Sequence, residues 1–360
     1  DVSTAFLHGK GDGRNLGIHP PSEIKEALAM TDADQCALNG GAYGRIDAPY
    51  LWFCELRDEL LKQGCRQCPL DPCVFTYGKF GDQGQYIPLG CLGIHVDDGI
   101  GGGSPEFLDM LKRVEKRFKF GSFEVGQFKY TGIDFKQWDD GSIEYDQKRY
   151  IEKIDPICIS KDRRNDPSSP VTEPERRALR SLVGALQYAG VHTRPDLCAK
   201  IGEIQAMVTK ACVSDLINCN KVLHEAKSNP VSLMVLPIQP REFTLCAFSD
   251  ASFLSSKQST AHQGTLVFGT TKEILENQRS VVAPIAWSSK KVVRVVRSTL
   301  SAEAAALSNT VDRLLWLRML WAWIENPDCE WSNPEQVLEG ERSEERRVGK
   351  ECRSRWSPYH

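Results

Sequence analysis

Residues 86–103 read YIPLGCLGIHVDDGIGGG, and this stretch predicts a strand that ends in a tight turn. Every second residue from Leu92 to Val96 is aliphatic, and a period of two is typical of a β-strand. The residues that follow, Asp97, Asp98 and a run of glycines, are favoured in turns. The stretch therefore predicts two adjacent carboxylates at the tip of a strand–turn–strand unit.

The Asp97-Asp98 pair has two interpretations. Asp followed by Gly is common in hairpin turns, so the pair is explained as a plain turn. Alternatively, it is half of a metal site, because enzymes that transfer phosphoryl groups hold two divalent ions with carboxylates from adjacent strands. Mg²⁺ prefers such oxygen ligands. The tripeptide alone favours the plain turn, and only the surrounding sequence can favour the metal site.

Strand alternation and helical periodicity predict further elements on both sides of this unit. Residues 139–141 read DDG and predict a second tight turn. Residues 161–174, rich in Asp, Ser, Pro and Arg, predict a linker or long loop. Helices are expected over 51–61, from 104 onward, over 175–228 and over 299–323, and strands near 130–135, 142–145, 243–250, 265–268 and 285–287.

Composition sets broad limits on the class of protein. The 360 residues are enough for two or three domains, and 41% hydrophobic with 26% charged residues is ordinary for a globular protein. The odd count of 13 cysteines argues against a disulfide framework and favours reduced thiols. A net charge of −3 neither supports nor excludes nucleic-acid chemistry, since such enzymes concentrate positive charge in a cleft. No apolar run approaches the roughly 20 residues of a membrane span.

Five segments, taken in order, resemble the reverse transcriptases of copia-type LTR retrotransposons. Each segment is weak alone, but the order over about 150 residues is specific. DVSTAFLHG (1–9) matches the first catalytic motif, and GAYG (41–44), followed by Ala48-Pro49 and Trp52, matches the second. GIHVDD (93–98) matches the Tyr-Val-Asp-Asp box, and YTGI (130–133) and QKRYI (147–151) match the two segments that follow it.

This resemblance implies roles for particular residues. Asp1, Asp97 and Asp98 would form the metal-binding triad, with Mg²⁺ as cofactor and Mn²⁺ as an alternative. Phe6 stands where the family places an aromatic gate that excludes a 2′-hydroxyl from the nucleotide sugar; without the triad it would be interpreted as a core aromatic. The implied partners are an RNA or DNA template–primer and deoxynucleoside triphosphates, and the implied activity is that of an RNA-directed DNA polymerase, a nucleotidyltransferase.

The chain also departs from the family pattern. His95 replaces the usual Tyr of the box, and Asp47 and Tyr50 stand where the second motif commonly has Gln and Arg. The contacts of that motif with template and nucleotide are therefore not carried over. The fingers of the family would precede Asp1, so we interpret the chain as a fragment and expect little or no polymerase activity from it alone.

A second group of segments resembles the copia-type ribonuclease H domain, which uses the same two-metal chemistry. Asp250 closes an alternating strand and Glu303 lies on a helix, and both inherit metal-ligand roles. Taken singly, Asp250 is also explained as a turn former and Glu303 as a helix surface residue. Asp312 is not assigned, because the third Asp of the family comes later in the chain. The matching segments are FSDAS (248–252), PIAWSSKK (284–291), STLSAEA (298–304) and LWLR (315–318).

The expected fold is α+β. A reverse transcriptase palm is expected over residues 1–160, a helical thumb and connection over 161–238, and a truncated ribonuclease H-like α/β domain over 239–341. RSLVGALQY (180–188) and HTRPD (192–196) resemble the joint of thumb and connection. The family implies an intracellular location, in a cytoplasmic particle or the nucleus, and no membrane partner. The alternative function is a catalytically inactive or domesticated remnant that only binds nucleic acid.

Residues 342–360 read RSEERRVGKECRSRWSPYH, and their composition differs abruptly from that of the apolar-rich residues before them. A solvated basic tail is one interpretation. We prefer another, because the peptide resembles the translation of a common sequencing adapter, codon by codon. We therefore expect these residues to be an artefact that takes no part in the fold.

Two further patterns are weaker. Cys65, Cys68 and Cys73 invite a zinc hypothesis, but a closed site needs four ligands and no second pair follows, so no zinc is assigned. A basic stretch interleaved with valines is interpreted either as an exposed strand edge or as a surface that binds an RNA–DNA hybrid. Both interpretations stay open, because phosphate contacts carry no sequence signature. The basic residues are Lys290, Lys291, Arg294 and Arg297.

Overall fold

A computed structural model describes residues 2–11, 13–14, 16–253, 261–276 and 278–328 of the chain. These residues form two compact units, which we describe separately: residues 2–124 with 319–328, and residues 125–318. Asp1 and residues 342–360, on which two of the expectations above depend, lie outside the described residues.

The first unit is built on a four-stranded antiparallel sheet with strands in chain order, and a separate two-stranded sheet precedes it. A single 3₁₀ turn, Ala5–His8, lies near its start. The remaining elements are β1 (Gly17–Ile18), α1 (Ser22–Ala27), β2 (Cys36–Ala37), α2 (Ala48–Lys62), β3 (Cys65–Gln67), β4 (Val74–Phe80), β5 (Tyr86–His95), β6 (Asp98–Gly103) and α3 (Pro105–Arg117).

Helices α2 and α3 supply the core of this unit, and both were predicted from the sequence. In α2, Trp52, Leu56 and Leu60 recur every four residues and are buried on one face. Helix α3 begins after Ser104, whose hydroxyl accepts a hydrogen bond from the Phe107 amide at 3.4 Å, with Pro in the first turn. Each fully buried large side chain of this core contributes roughly 1.5–3 kcal/mol.

The glycines after the Asp-Asp pair lie in a strand rather than in a turn. Residues Gly101 and Gly103 pair with β5 as part of β6. A Cβ atom at Gly103 would lie 2.8 Å from the Phe107 ring, and one at Gly101 would lie 2.7 Å from the Cys91 carbonyl oxygen. Glycine is therefore needed here for the close approach of α3 and β5, and not for a bend.

The second unit contains a four-stranded antiparallel sheet in the order β10-β9-β8-β7, a group of helices, and a three-stranded antiparallel sheet in the order β11-β12-β13. Its elements are β7 (Gln127–Tyr130), β8 (Ile133–Gln137), β9 (Ile143–Asp146), α4 (Lys148–Glu152), α5 (Lys161–Asn165), α6 (Glu173–His192), α7 (Cys198–Met207), α8 (Val213–Ser228), β10 (Leu233–Val235), β11 (Phe243–Ser252), β12 (His262–Thr271), β13 (Val282–Lys291) and α9 (Thr299–Glu325), of which residues 299–318 belong to this unit.

Two expectations for this unit need correction. The strand expected over 130–135 is interrupted by a turn at Thr131 and Gly132, both with positive φ, so that it forms two strands. Residues 161–174, expected to be a linker or long loop, contain α5 and are held in place by an ion pair. Arg163 donates to both carboxylate oxygens of Glu175 at 2.9 and 2.8 Å, and these bonds lower the pKa of Glu175 to about 2.

The α+β class is confirmed, because every sheet in the described part of the chain is antiparallel and the helices lie outside the sheets. No helix among the described residues is long and apolar enough to span a bilayer. The assignment of the units to a palm and to a ribonuclease H-like domain stays a prediction.

Candidate functional site

The Asp97-Asp98 pair lies at the hairpin between β5 and β6. His95 pairs with Asp98, so Val96 and Asp97 form the two-residue loop. Val96 has φ of 60°, a left-handed conformation at the position where type II′ turns usually have glycine. For a β-branched residue this conformation is an outlier that costs on the order of 1–3 kcal/mol, and such residues cluster at functional sites.

Two distant segments bind the backbone of this loop. The Trp52 indole Nε1–H donates to the carbonyl oxygen of Val96 at 2.8 Å, and the Val2 amide donates to the carbonyl oxygen of Asp97 at 3.1 Å. Val2 also bridges to Phe120. The residue that directly follows Asp1 in the sequence is thus bonded to the Asp97 peptide, while Asp1 itself lies outside the described residues.

The first and second sequence motifs also meet in this unit. The Gly41 amide donates to the Gly9 carbonyl oxygen at 2.8 Å, and a side chain at Gly41 would clash with the Phe6 carbonyl oxygen. The rings of Phe6 and Tyr43 lie 5.0 Å apart between centroids. Phe6 is half-buried against the core and Tyr43 is exposed. This position is compatible with either interpretation of Phe6, and its role as a sugar gate stays a prediction.

Asp47, which differs from the pattern of the resembled motif, is paired with two arginines. Its carboxylate accepts hydrogen bonds from the Arg45 guanidinium at 2.8 and 2.7 Å, and Arg14 forms a further ion pair with it. The hydrogen bonds from Arg45 hold the pKa of Asp47 well below its usual range. The carboxylate is therefore occupied by the two arginines. Tyr50, the other departure, is exposed on α2.

The carboxylates of the hairpin fit a hard divalent ion in their chemistry. Asp97 and Asp98 are both partly exposed, and no described residue pairs with the Asp97 carboxylate. Oxygen donors with access to water are what Mg²⁺ requires. Within the described ranges, however, no group of three or more His, Cys, Asp or Glu residues could hold a metal ion. That Asp1 supplies the third carboxylate stays a prediction, because Asp1 lies outside the described residues.

The hairpin rests on a cluster of rings that the sequence did not identify as part of the site. Trp52 packs edge-on against Phe118, with centroids 5.0 Å apart, and the His8 ring lies 5.4 Å from Phe118. The His8 Nε2 atom is buried without a hydrogen-bond partner among the described residues. The sequence contained one indication of this contact, the indole N–H of Trp52, because a buried Trp usually needs a hydrogen-bond acceptor.

The second pair of predicted carboxylates lies in the other unit. Asp250 is an exposed residue of β11 opposite Gly264, and Glu303 is half-buried in the first turns of α9. Helix α9 contacts the sheet through β12. There, the Thr265 and Thr310 hydroxyls are 2.8 Å apart and Asn309 donates to Gln263 at 3.0 Å, which fixes the face of the sheet that α9 covers.

The register determines which face Asp250 occupies. Its neighbours Ser249 and Ala251 pair with Thr265 and Gln263, the residues that contact α9. Since strand side chains alternate, Asp250 lies on the opposite face of the sheet. Ala251 and Ala302, adjacent to the two carboxylates, belong to one apolar cluster. The carboxylates thus come from neighbouring elements but different faces, and their metal roles stay predictions.

The cysteine spacing that invited a zinc hypothesis shows thiols in different settings. Cys65 and Cys68 are buried and Cys73 is exposed, and the described cysteines are all free. Burial raises the pKa of the Cys65 thiol to about 12, so it is neutral, and its sulfur lies 3.8 Å from that of Met110.

Sequence comparison shows that this chain is similar to retrotransposon Pol polyproteins and to a putative transposon protein. The chain is 27% identical over 337 residues to the retrovirus-related Pol polyprotein from transposon RE1 of Arabidopsis thaliana, and 25% over 338 residues to that from transposon RE2. These matches cover 88% of this chain and 21% of each relative. The putative transposon Ty5-1 protein of Saccharomyces cerevisiae is 25% identical over 341 residues, covering 86% of this chain and 99% of that protein.

No family model matches the chain. The chain spans about a fifth of the length of the two Arabidopsis polyproteins. The chain is therefore similar to one part of these polyproteins.

Proposed function

We propose that this chain carries the polymerase centre of a copia-type reverse transcriptase, followed by part of a ribonuclease H domain. The observation that carries the proposal is the Asp97-Asp98 hairpin, whose loop is bound by Val2 and by Trp52. Val2 belongs to the first motif of the resemblance and Trp52 follows the second. Three segments far apart in the sequence thus converge on two adjacent carboxylates.

In this proposal, Asp97 and Asp98 would hold divalent ions together with Asp1. Two bound ions would supply the electrostatic stabilisation that phosphoryl transfer needs at the attacking and leaving oxygens. Phe6, with Tyr43 beside it at 5.0 Å, would lie against the sugar of a deoxynucleoside triphosphate. The remaining partner is an RNA or DNA template–primer. Asp250 and Glu303 would serve the ribonuclease H reaction.

The second candidate function is a remnant that binds nucleic acid without catalysis. The observation that favours it is Asp47, whose carboxylate is occupied by Arg45 and Arg14 at a position where the family commonly uses a different residue. A remnant would bind a hybrid through its backbone phosphates, and that binding would depend on salt but not on Asp97.

Fluorescence anisotropy of a labelled RNA–DNA template–primer separates the two functions. With a polymerase centre, adding the next complementary deoxynucleotide in Mg²⁺ should tighten binding of the template–primer, and Asp97→Asn should abolish that effect. Asp139→Asn, which removes the same charge from the other Asp-Asp-Gly turn, should leave it intact. Equal binding by all three proteins, with no response to nucleotide, would contradict the polymerase proposal and support the remnant.

Primer extension by the same proteins adds a further arm. Mg²⁺-dependent extension that disappears in Asp97→Asn but persists in Asp139→Asn would support the polymerase site.

A further inference from the structure

We propose that Trp52 is a positioning residue for the Asp97-Asp98 pair. Its indole N–H holds the Val96 peptide in the left-handed conformation, and the position of the two carboxylates depends on that conformation. The positioning role for metal binding rests on the proposed polymerase function, whereas the effect of Trp52 on the loop backbone does not.

Val96 needs an external partner to keep its conformation. A left-handed backbone is unfavourable for an L-residue, and a β-branched side chain is among the least tolerant of it. The Val96 side chain is 43% exposed, so its own burial offsets little of that cost. A hydrogen bond from Trp52 to the Val96 carbonyl oxygen, at 2.8 Å, reaches this residue from outside the hairpin.

The Trp52 indole is held rigidly enough to act as such a partner. Its side chain is 0% exposed, and it packs edge-on against Phe118 with an interplanar angle of 84°. The His8 ring lies 5.9 Å from it and 5.4 Å from the Phe118 ring. The backbone of Trp52 lies within α2, and Gly9 approaches it so closely that a Cβ atom at Gly9 would lie 3.1 Å from the Trp52 amide nitrogen. The direction of the N–H bond is therefore set by packing.

Ionic contacts brace this packing. The Arg117 guanidinium lies over the Phe118 ring at 5.4 Å and reaches the Glu55 carboxylate at 3.3 Å. Glu55, one turn after Trp52 on α2, is also paired with Lys10 at 2.9 Å. The support of the indole thus extends from α3 through α2 to the segment that follows the first motif.

The two carbonyl bonds together define the loop. Trp52 binds the Val96 carbonyl oxygen and Val2 binds that of Asp97, so both peptides of the loop are fixed from outside. Without the indole N–H, Val96 can relax toward an ordinary φ. The first residues of β6 would then shift relative to Val2, and with them the Asp97 and Asp98 carboxylates.

Hydrogen exchange of the hairpin, measured by mass spectrometry on peptides covering residues 92–103, tests the proposal. Trp52→Phe keeps an aromatic ring but removes the donor, and exchange should rise about threefold to tenfold, the net effect of one hydrogen bond. Trp287→Phe is the matched control, because the Trp287 Nε1–H donates to the Gly190 carbonyl oxygen at the same 2.8 Å but in the other unit. It should leave the hairpin unchanged.

Val96→Gly separates positioning from packing. Glycine adopts positive φ without external help, so the effect of Trp52→Phe on hairpin exchange should fall by at least half in the Val96→Gly background. An unchanged effect in that background, or no effect of Trp52→Phe in the parent, would overturn the proposal and leave Trp52 as a core residue only.

Two arms keep the result interpretable. If Trp52→Phe does not fold, the ¹⁵N indole signal of the parent decides: the Trp52 proton should be protected from solvent exchange, unlike that of exposed Trp316, and rapid exchange would overturn the proposal. Mn²⁺ binding measured by electron paramagnetic resonance separates the proposed polymerase function from the effect of Trp52 on the loop. Binding that is unaffected by Asp97→Asn contradicts the polymerase function, whereas the coupling between Trp52 and Val96 is judged by exchange alone.

Discussion

The chain contains two Asp-Asp-Gly sequences at β-hairpins, residues 97–99 and 139–141, and they are built differently. At the second, Gly141 takes the left-handed conformation with φ of 85°. The Asp140 carboxylate accepts bonds from the amide and hydroxyl of Ser142 at 2.9 and 2.6 Å. The positive φ and the side-chain hydrogen bonds of this turn thus come from residues next to one another in the sequence.

At the first, glycine does not make the turn. Gly99 lies within β6 opposite Ile94, and the left-handed residue is Val96. The loop carbonyls are bound by residues from elsewhere in the sequence, and no described residue pairs with the Asp97 carboxylate. The tripeptide is thus a turn former at 139–141, while at 97–99 it is held in a strained conformation that leaves a carboxylate available. This contrast supports a functional interpretation of one site and a structural interpretation of the other.

The largest expected difference between the two turns is in metal binding. Asp97→Asn or Asp98→Asn should weaken Mn²⁺ binding at least about 10–100-fold, the loss that even an outer-shell residue commonly causes. Asp139→Asn should have no effect, although it removes the same charge. Titration followed by electron paramagnetic resonance measures both. Equal losses of Mn²⁺ affinity in variants of both turns would mean that the effect comes from removing a negative charge and is not specific to the 97–99 hairpin.

The next difference is in the tolerance of the two glycines. Gly141→Ala should destabilise the second unit by about 1–2 kcal/mol, because an L-residue would have to adopt positive φ. Gly99→Ala should be close to neutral, since its Cβ would meet Ile94 Cδ1 at an ordinary 3.5 Å. Urea denaturation, with exchange of each hairpin as a local reporter, measures both. A larger loss at Gly99 than at Gly141 would contradict this assignment of the turn residues.

Val96→Gly should stabilise the first unit by roughly 0.5–1 kcal/mol. About 1–2 kcal/mol of left-handed strain is relieved and about 0.5–1 kcal/mol of backbone entropy is lost. The matched control is Val293→Gly, an exposed valine (94%) without positive φ, which should not stabilise the protein. Denaturation midpoints of the two variants would show whether Val96 is strained; a loss of stability in Val96→Gly would mean that it is not.

The smallest expected effect is a pH dependence at the second turn. The bonds from Ser142 lower the pKa of Asp140 in the folded protein. A depressed pKa stabilises the fold above the unfolded value of about 3.9 and the benefit is lost as pH falls through the folded value. The melting temperature of Asp140→Asn should therefore lie below that of the parent at pH 7, and the gap should close below about pH 4. Ser142→Ala should reduce the same dependence.

Much of the secondary structure around the candidate site was predictable because its determinants are local. The period of α2, the Ser104 cap with its proline before α3, and the alternation that ends β5 are all visible in the sequence. The second Asp-Asp-Gly turn was also predicted, since its glycine and serine act on adjacent residues. The α+β class follows from these local patterns.

The missed features depend on contacts between distant residues. The left-handed conformation of Val96 has no signal in its own sequence, because it is maintained by Trp52, 44 positions away. In the sequence, Gly101 and Gly103 resemble turn residues. In the structure, Gly103 lies against the Phe107 ring. The face occupied by Asp250 required the register with β12. Local patterns predict elements, but not which side chains those elements bring together.

Anomalous diffraction from crystals of this chain grown with Mn²⁺ tests the polymerase site most directly. We expect a peak with carboxylate oxygens of Asp97 and Asp98 at about 2.0–2.2 Å, near the distance that Mg²⁺ takes, and with Asp1 as the third ligand. A peak at residues 139–140 instead, or an Asp1 carboxylate more than about 8 Å from Asp97, would contradict it, because carboxylates that share metal ions must lie close together.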